Sequence, residues 1–332
     1  MIRRRLHFAA AAVLAAIFFA NPAHGEPITV TAEPVPLDSS DASRDKAGSL
    51  AYLGGLRLRS GARGFGGFSG LDVSPDGTRL IAVSDFGRRL DAHLVYSRDG
   101  RLTGIAEARL TPLTGLDAKP LTGKADGDGE AIARLGGALL VAFERRHRIL
   151  RYGPGPVQAL TPPTGLEKAP ANGGIEALPG LPGGRLLAIL EAATAVPGGA
   201  RSGVSKAWIR GGGRRSEMIY ARTGSLSPAG AATVPAGTGA GDVLVLERRW
   251  SLLAGTRVRI ARLGAADLAQ AAAGATLVGQ EIARLEAPLT VDNFEGIAIR
   301  RGSGGETLVY LISDDNFNPL QETLLMLFRL DG

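Results

Sequence analysis

The chain has 332 residues, a net charge of +6 and only 5% aromatic residues. Half of that charge comes from Arg3, Arg4 and Arg5, and no stripe of basic and aromatic residues follows, which argues against nucleic-acid binding. The sequence has no cysteine, so thiolate metal sites, a cysteine nucleophile and disulfides are excluded. Only His93 and His147 lie beyond the first 25 residues, which disfavours a multi-histidine zinc site, so any metal would need oxygen ligands.

The first 25 residues have the pattern of a secretory signal. A basic start at Arg3–Arg5 is followed by the apolar stretch Phe8–Ala20 and by the small residues of Ala23-His24-Gly25. The apolar stretch is too short to span a bilayer, so we predict cleavage near Gly25 and a periplasmic or secreted protein without a membrane span. The paired arginines leave open whether export follows the general secretory or the twin-arginine route.

The remaining chain divides into a short lead-in and one domain. Residues 26–49 contain Pro, Asp and Ser with little apolar periodicity, which predicts a flexible segment. Residues 50–332 are expected to form a single domain that begins with a strand at Leu50–Leu58.

A unit recurs five times within this domain: a polar residue, an apolar residue two places later, a turn, an apolar strand and a carboxylate. The polar residues that begin the units are Ser69, Glu130, Glu176, Ser225 and Glu295. The carboxylates that end the strands are Asp85, Glu144, Glu191, Glu247 and Asp314.

Self-similarity at a long period is typical of repeat architectures, and strand-rich units arranged radially form a β-propeller. We predict an all-β propeller of five blades, although a sixth blade could lie between Ser225 and Glu295. The strand Leu50–Leu58 is expected to pair with Thr323–Leu330 and close the ring, because closure removes exposed sheet edges.

The residues that begin the units would face one another across the central channel. Three carboxylates on one axis repel each other unless a positive group lies between them. Oxygen ligands at flexible spacing suit Ca²⁺, so Ser69, Glu130, Glu176, Ser225 and Glu295 are the predicted metal ligands. The alternative is a water-filled tunnel whose carboxylates are neutralised by arginines.

Arginines follow several of the carboxylates at the strand ends, as in Arg88, Arg145 and Arg248. Because guanidinium groups suit phosphate, these arginines are predicted to bind a phosphorylated ligand together with Asp314 and Asn316. Two simpler interpretations remain open: salt bridges between neighbouring blades, and an Asx turn at Asp314–Asn318.

Several of these segments resemble a known family. Five segments carry the resemblance: Phe68-Ser69-Gly70-Leu71, Asp128-Gly129-Glu130-Ala131-Ile132, Gly174-Ile175-Glu176-Ala177-Leu178, Asp292-Asn293-Phe294-Glu295-Gly296-Ile297 and Ser313-Asp314-Asp315-Asn316-Phe317. They are similar to segments of the exported bacterial phytase-like proteins, which are described as having the esterase-like activity of phytase. The resemblance extends from about Leu56 to Leu330 and implies ester or phosphate-ester hydrolysis. The order Ser, Glu, Glu, Ser, Glu is also similar to that of calcium-dependent apyrases, which implies a central Ca²⁺.

The sequence therefore predicts a monomeric, exported hydrolase that acts on a small phosphorylated substrate with a central Ca²⁺. Glu130 or Glu295 is predicted to accept the proton of the attacking water. The alternative function is a non-catalytic propeller that binds a ligand or partner, with a structural metal or none.

Overall fold

The computed structural model describes residues 25–193, 203–251 and 255–331. In this part of the chain five sheets form the blades of a β-propeller, and their inner strands contact one another in cyclic order. The predicted fold class and the count of five blades are confirmed. Residues 1–24, which contain most of the predicted export signal, lie outside the described residues.

Blades 1 and 2 each consist of a run of consecutive antiparallel strands. Blade 1 contains, from the channel outward, Phe68–Val73, Arg79–Ser84, Arg88–Tyr96 and Leu102–Pro112. Blade 2 contains Gly129–Leu135, Ala138–Phe143, Arg148–Tyr152 and Gln158–Leu160. A short helix, Gly123–Gly127, connects the two blades, and a 3-10 turn, Leu166–Lys168, leads to blade 3.

Blades 3 and 4 share the long interval in which a sixth blade was possible. Blade 3 contains Ile175–Ala177, Arg185–Ala193 with Gly180–Leu181 beside it, Val204–Gly211, Arg214–Ala221 and, as a parallel outer strand, Thr276–Val278. Blade 4 contains Ser227–Thr233, Val243–Ser251, Gly255–Leu263 and Gln280–Leu285, with the helix Ala265–Gln270 inserted. Helix and outer strand therefore account for the extra length.

Blade 5 closes the ring as predicted, because strands from both ends of the domain lie in one sheet. It contains Phe294–Arg301, Thr307–Ser313, Thr323–Leu330 and the N-terminal strand Leu50–Arg59. The last two pair antiparallel from Thr323 opposite Leu58 to Leu330 opposite Leu50.

The predicted flexible lead-in is instead paired with the propeller along much of its length. Glu26–Pro27 adds to the outer edge of blade 1, and Thr31–Pro34 and Lys46–Ala47 both pair with the closing strand. Val35 and Leu37 between them are buried. Strand pairing and the burial of scattered apolar side chains together hold this segment, although its composition shows no regular period.

Five apolar clusters hold the blades together, one between each pair of neighbours. Packing of this kind maintains the channel without disulfides, because each sheet buries both faces. Among the described residues no helix is long and apolar enough to cross a membrane.

Candidate functional site

Each inner strand carries a β-bulge at the same position, near the strand's start. The register between inner and second strand shifts by one residue in all five blades. The extra residues are Ser69, Glu130, Glu176, Ala229 and Glu295. Bulges change the direction of a side chain and are frequent beside active sites. Because the bulge recurs at the same position of every inner strand, these five residues form a ring around the channel.

Four of the five predicted ring residues occupy these bulges, but Ser225 does not. Ser225 is exposed and precedes the inner strand of blade 4, whereas Ala229 holds the bulge and is buried. Matching the unit by its first polar residue placed the ring position four residues too early. Ser225 is therefore not brought together with Ser69 and the glutamates.

A second sequence signal identifies the correct position, because a small residue follows every bulge. These residues are Gly70, Ala131, Ala177, Gly230 and Gly296. A Cβ at Gly70 would lie 2.7 Å from Cγ2 of Ile132 in the next blade, and a Cβ at Gly230 would collide with the backbone of Glu295. The inner strands thus approach too closely for a larger side chain.

The ends of the second strands form a second layer around the channel. In four blades an acidic residue directly follows the last residue of the second strand that pairs with the inner strand. The backbone N–H of this acidic residue donates to a backbone carbonyl just before the inner strand. These residues are Asp85, Glu144, Glu191 and Asp314. In blade 4 the residue before the bulge, Pro228, pairs with Glu247, so Arg248 takes this place.

Glu247, the predicted member of this layer in blade 4, is directed into the protein instead. It is fully buried, accepts a hydrogen bond from Tyr220 Oη at 3.1 Å and forms an ion pair with Arg259 at 2.5 Å. Glu247 and Arg259 face each other on neighbouring strands of blade 4, so this salt bridge lies within one blade and does not join two. The contact between blades is the hydrogen bond from Tyr220, which belongs to blade 3.

The two layers, joined by Asp128 from the loop before blade 2, bring eight carboxylates together in what we call the acidic centre. Its members are Asp85, Asp128, Glu130, Glu144, Glu176, Glu191, Glu295 and Asp314. All except Glu191 are at most 8% exposed. Only three basic side chains form ion pairs with this set in the described parts of the chain: Arg248, Lys124 and Arg145.

Burial and mutual repulsion raise the pKa values of six carboxyl groups in this centre, those of Asp85, Glu130, Glu144, Glu176, Glu191 and Asp314. Burial is the larger cause and raises the pKa of Asp85 to about 6 and that of Glu144 to about 7. The pKa values of Glu130 and Glu176 are raised well above the usual range by burial and then by neighbouring glutamates. The centre must therefore bind protons or cations to be stable.

Three carboxylate oxygens in this centre have no hydrogen-bond partner among the described residues, although they are buried. They are Asp85 Oδ1, Asp128 Oδ1 and Glu176 Oε2. Unpartnered buried polar atoms are rare and point to a missing ligand. Because the donors are all oxygens, they fit a hard cation such as Ca²⁺, which takes six to eight oxygen ligands.

Glu295 differs from the other glutamates because both of its oxygens are engaged. Oε1 accepts a hydrogen bond from Asn293 Nδ2 at 2.9 Å and pairs with Arg248 Nη2 at 2.6 Å. Oε2 accepts a hydrogen bond from Ser69 Oγ at 2.7 Å. This side of the channel already has its own counter-ion.

Of the predicted substrate-binding residues, Arg145 lies directly beside the acidic centre. Its Nε donates to Asp128 Oδ2 at 2.6 Å, while its backbone has a positive φ of 55° and its N–H donates to Ala171. That conformation costs a non-glycine residue about 1–2 kcal/mol. The side-chain bond to Asp128 and the backbone bond to Ala171 maintain it. The side chain is 39% exposed and can reach a ligand.

The other predicted binding residues lie at three different depths. Arg248 is half-buried and paired with Glu295, and Asp314 is buried with Oδ1 accepting the N–H of Asn316 at 2.6 Å, which is the predicted Asx turn. Asn316 itself is exposed at the rim. Arg88 is half-buried and has no ion-pair partner in the part of the chain that the structure describes.

Two aromatic residues that the sequence analysis did not select stand at this rim. Phe86 and Phe317 are 39% and 43% exposed, and their rings meet edge to face at 4.8 Å. Each follows a strand-end carboxylate, by one residue at Asp85 and by three at Asp314. Exposed, rigid aromatics beside a charged cavity form a surface on which a planar or apolar group can pack.

These features define a class of protein, the β-propellers with an acidic channel and with basic and aromatic residues at the rim. The propeller fold is used by both enzymes and binding proteins. Residues 63–317 match the family model Phytase-like, described as "Esterase-like activity of phytase". This match covers most of the chain, which therefore belongs to the phytase-like family. Among curated proteins, no sequence matches this chain.

Solved structures similar to this one are propellers or complexes of low sequence identity. The β-propeller domain of Cps50 (Swd1) from Myceliophteria thermophila is 9% identical, with 89% of this chain and 99% of that chain covered and a TM-score of 0.39. The C-terminal WD40 domain of Sif2 is 11% identical, with coverages of 85% and 77% and a TM-score of 0.36. A nidogen/laminin complex is 14% identical, with coverages of 79% and 86% and a TM-score of 0.39.

Proposed function

We propose that the protein is an exported hydrolase of small phosphate esters that depends on a divalent cation, most suitably Ca²⁺, held in the acidic centre. The observation that carries this proposal is the set of three buried, unpartnered carboxylate oxygens in a centre where carboxylates outnumber basic groups. Membership of the phytase-like family supports the reaction class. The signal pattern in the first 25 residues supports export.

A cation bound here would polarise a phosphoryl oxygen and lower the pKa of a water molecule. Its ligands would come from Glu130 and Glu176, as the sequence predicts, and from Asp128, Glu144 and Glu191, which lie close enough to share ions with them. Ser69 and Glu295 are less available as ligands, because each is hydrogen-bonded to the other.

Asp85 is the carboxylate best placed to accept the proton of the attacking water. Its Oδ2 is held by Lys124 Nζ at 2.8 Å, while its Oδ1 is buried and free. A pKa raised by burial to about 6 suits proton transfer near neutral pH. Of the two bases predicted from the sequence, Glu295 is engaged on both oxygens and Glu130 serves better as a ligand.

Arg145 and Lys124 would bind the phosphate group of the substrate. Both side chains are 39% exposed, both are anchored to carboxylates of the acidic centre, and together they supply positive charge at its rim. Guanidinium and ammonium groups placed in this way offset the charge that develops on a phosphoryl group. Their anchoring also reduces the entropy lost on binding.

The test is phosphate release from 4-nitrophenyl phosphate by the purified protein, with Ca²⁺ and with a chelator. Phosphate release that requires Ca²⁺ supports the proposal. Glu176→Gln should then abolish the Ca²⁺-dependent release, whereas Glu107→Gln, a change of an exposed carboxylate, should leave it intact. Release unaffected by chelation would contradict the role of the cation. If Ca²⁺ stabilises the protein but no ester is cleaved, the non-catalytic binding function is the better one.

A further inference from the structure

The acidic centre is not symmetric about the propeller axis, because blade 4 breaks the repeat in both layers. Ala229 replaces the acidic or hydroxyl residue of the inner layer, and Arg248 replaces the carboxylate of the outer layer. Arg248 then pairs with Glu295 at 2.6 Å. Most carboxylates without an ion-pair partner among the described residues therefore lie in blades 2 and 3, where Arg248 acts on Glu176 and Glu191 only from a distance.

Two groups of three carboxylates on that side can each surround one cation. In the first group, Asp128, Glu130 and Glu144, one ligand atom from each residue lies within 4.8 Å of the others. The same holds for the second group, Glu144, Glu176 and Glu191. Glu144 belongs to both groups, so its carboxylate lies between the two positions.

Each group also contains one buried oxygen that lacks a partner, which is an observation independent of the clustering. Asp128 is 1% exposed, and its Oδ2 holds Arg145, while its Oδ1 has no hydrogen-bond partner among the described residues and only a long contact of 3.9 Å with Lys124 Nζ. Glu176 is 4% exposed, and its Oε2 is likewise unpartnered there. One orphaned oxygen in each group indicates one missing ligand for each.

We propose that the protein binds two divalent cations on the blade 2 and blade 3 side of the channel, with the Glu144 carboxylate shared between them. Arg248 supplies the positive charge on the other side, where a third cation would otherwise be needed. Two-metal sites that cleave phosphate esters hold their ions about 3.5–4 Å apart, which a shared carboxylate allows. This inference rests on the proposed function for the presence of a cation but not for the reaction.

Backbone contacts orient the shared carboxylate for this role. Glu144 Oε1 accepts a hydrogen bond from the N–H of Gly174 in blade 3, and the N–H of Glu144 donates to Asp128 O in blade 2 at 2.8 Å. The side chain thus bridges the two blades. A Cβ at Gly174 would lie 2.9 Å from His147 Nδ1 and 3.2 Å from Glu144 Cγ, so a larger residue would press on both side chains.

The experiment measures ions bound per chain in the full-length mature protein, by elemental analysis after equilibration with Ca²⁺ and by titration with Mn²⁺ followed by electron paramagnetic resonance. We expect two ions per chain and a spin-coupled Mn²⁺ signal. Asp128→Asn and Glu191→Gln should each lower the count to one and abolish the coupling. Glu144→Gln should weaken both sites.

Asp314→Asn is the matched control, because Asp314 is a buried carboxylate of the same outer layer but belongs to neither group. It should retain two ions and the coupled signal. A single ion per chain, or two ions without coupling, would overturn the two-site inference and leave the cation-dependent function standing. The absence of any bound ion would overturn both the two-site inference and the cation-dependent function. If Glu144→Gln fails to fold, the spin coupling in the unmodified protein still tests the two-site inference.

Discussion

Arg248 and Glu295 form an ion pair of 2.6 Å that joins the second strand of blade 4 to the inner strand of blade 5 inside the channel. Glu295 is 5% exposed at its side chain and Arg248 24%. Burial by itself lowers the pKa of Arg248, but Glu295, Glu176 and Glu191 reverse the direction and raise it. The guanidinium therefore stays charged and acts as a fixed counter-ion within a site that otherwise attracts free cations.

Replacing Arg248 should destabilise the metal-free protein strongly. Arg248→Gln leaves Glu295 buried without its charge partner, and breaking such a pair typically costs about 3–5 kcal/mol. Denaturant unfolding in the presence of chelator measures this cost. Arg146→Gln, which breaks an exposed pair with Asp126, should cost less than about 1 kcal/mol. Equal effects of the two substitutions would show that Arg248 is not a structural counter-ion.

The metal-free protein should become more stable as the pH falls from 8 to 5. Burial raises the pKa of Asp85 to about 6 and that of Glu144 to about 7, so the folded state binds protons that the unfolded state binds only near pH 4. The stability that protonation provides is complete below pH 4 and is lost as the pH rises through 6 and 7. Melting temperatures measured with chelator across this range test the slope.

Two variants and one addition serve as controls for this pH dependence. Asp85→Asn should flatten the slope, whereas Asp76→Asn should not, because hydrogen bonds lower the pKa of Asp76 to about 2, outside the range. Saturating Ca²⁺ should reverse the slope, since protons compete with the cation for the same carboxylates. A stability that rises with pH in the metal-free protein would contradict the acidic centre as described.

Removal of the proposed base should reduce turnover far more than stability. Asp85→Asn is expected to lower kcat for phosphate release by about 10²–10⁴ with little change in the number of bound ions. Arg145→Ala should act mainly on KM, because its side chain binds charge and moves no proton. Steady-state kinetics separates the two effects, and Arg146→Ala, at an exposed neighbour, provides the control. Unchanged kcat in Asp85→Asn would leave Glu130 as the remaining predicted base.

The aromatic pair at the rim should favour substrates with a planar or apolar leaving group. Phe317→Ala is expected to raise KM for 4-nitrophenyl phosphate several-fold while leaving KM for glycerol phosphate nearly unchanged, because only the aromatic ring packs on Phe86 and Phe317. Leu320→Ala is the control, since Leu320 lies in the same loop and is 89% exposed. A parallel change with both substrates would contradict a packing role.

Loss of the closing strand should unfold the whole domain. A chain that begins at Ser60 lacks Leu50–Arg59, which buries Leu56 completely and pairs with Thr323–Leu330. Such a chain should show no cooperative thermal transition, because blade 5 loses both hydrogen bonds and apolar burial. A chain that begins at Thr31 keeps this strand and should melt within a few degrees of the intact protein. Cooperative folding of the shorter chain would argue against closure.

The sequence by itself determined the propeller, the closing strand and four of the five ring residues. Each of these depends on local information: apolar strands of similar length, turn residues between them and a polar residue at the same offset. In blades 1, 2, 3 and 5 this offset coincides with the bulge, so Ser69, Glu130, Glu176 and Glu295 could be read directly.

Only the tertiary structure decided the register of blade 4 and the composition of the centre. Because side chains alternate across a strand, a shift of one residue exchanges Glu247, which is buried against Arg259, for Arg248, which enters the channel. The positions of Asp128, Lys124 and Arg145 depend on how a loop and a short helix pack beside blade 2. Such placements result from contacts between blades, which no periodicity along the chain records.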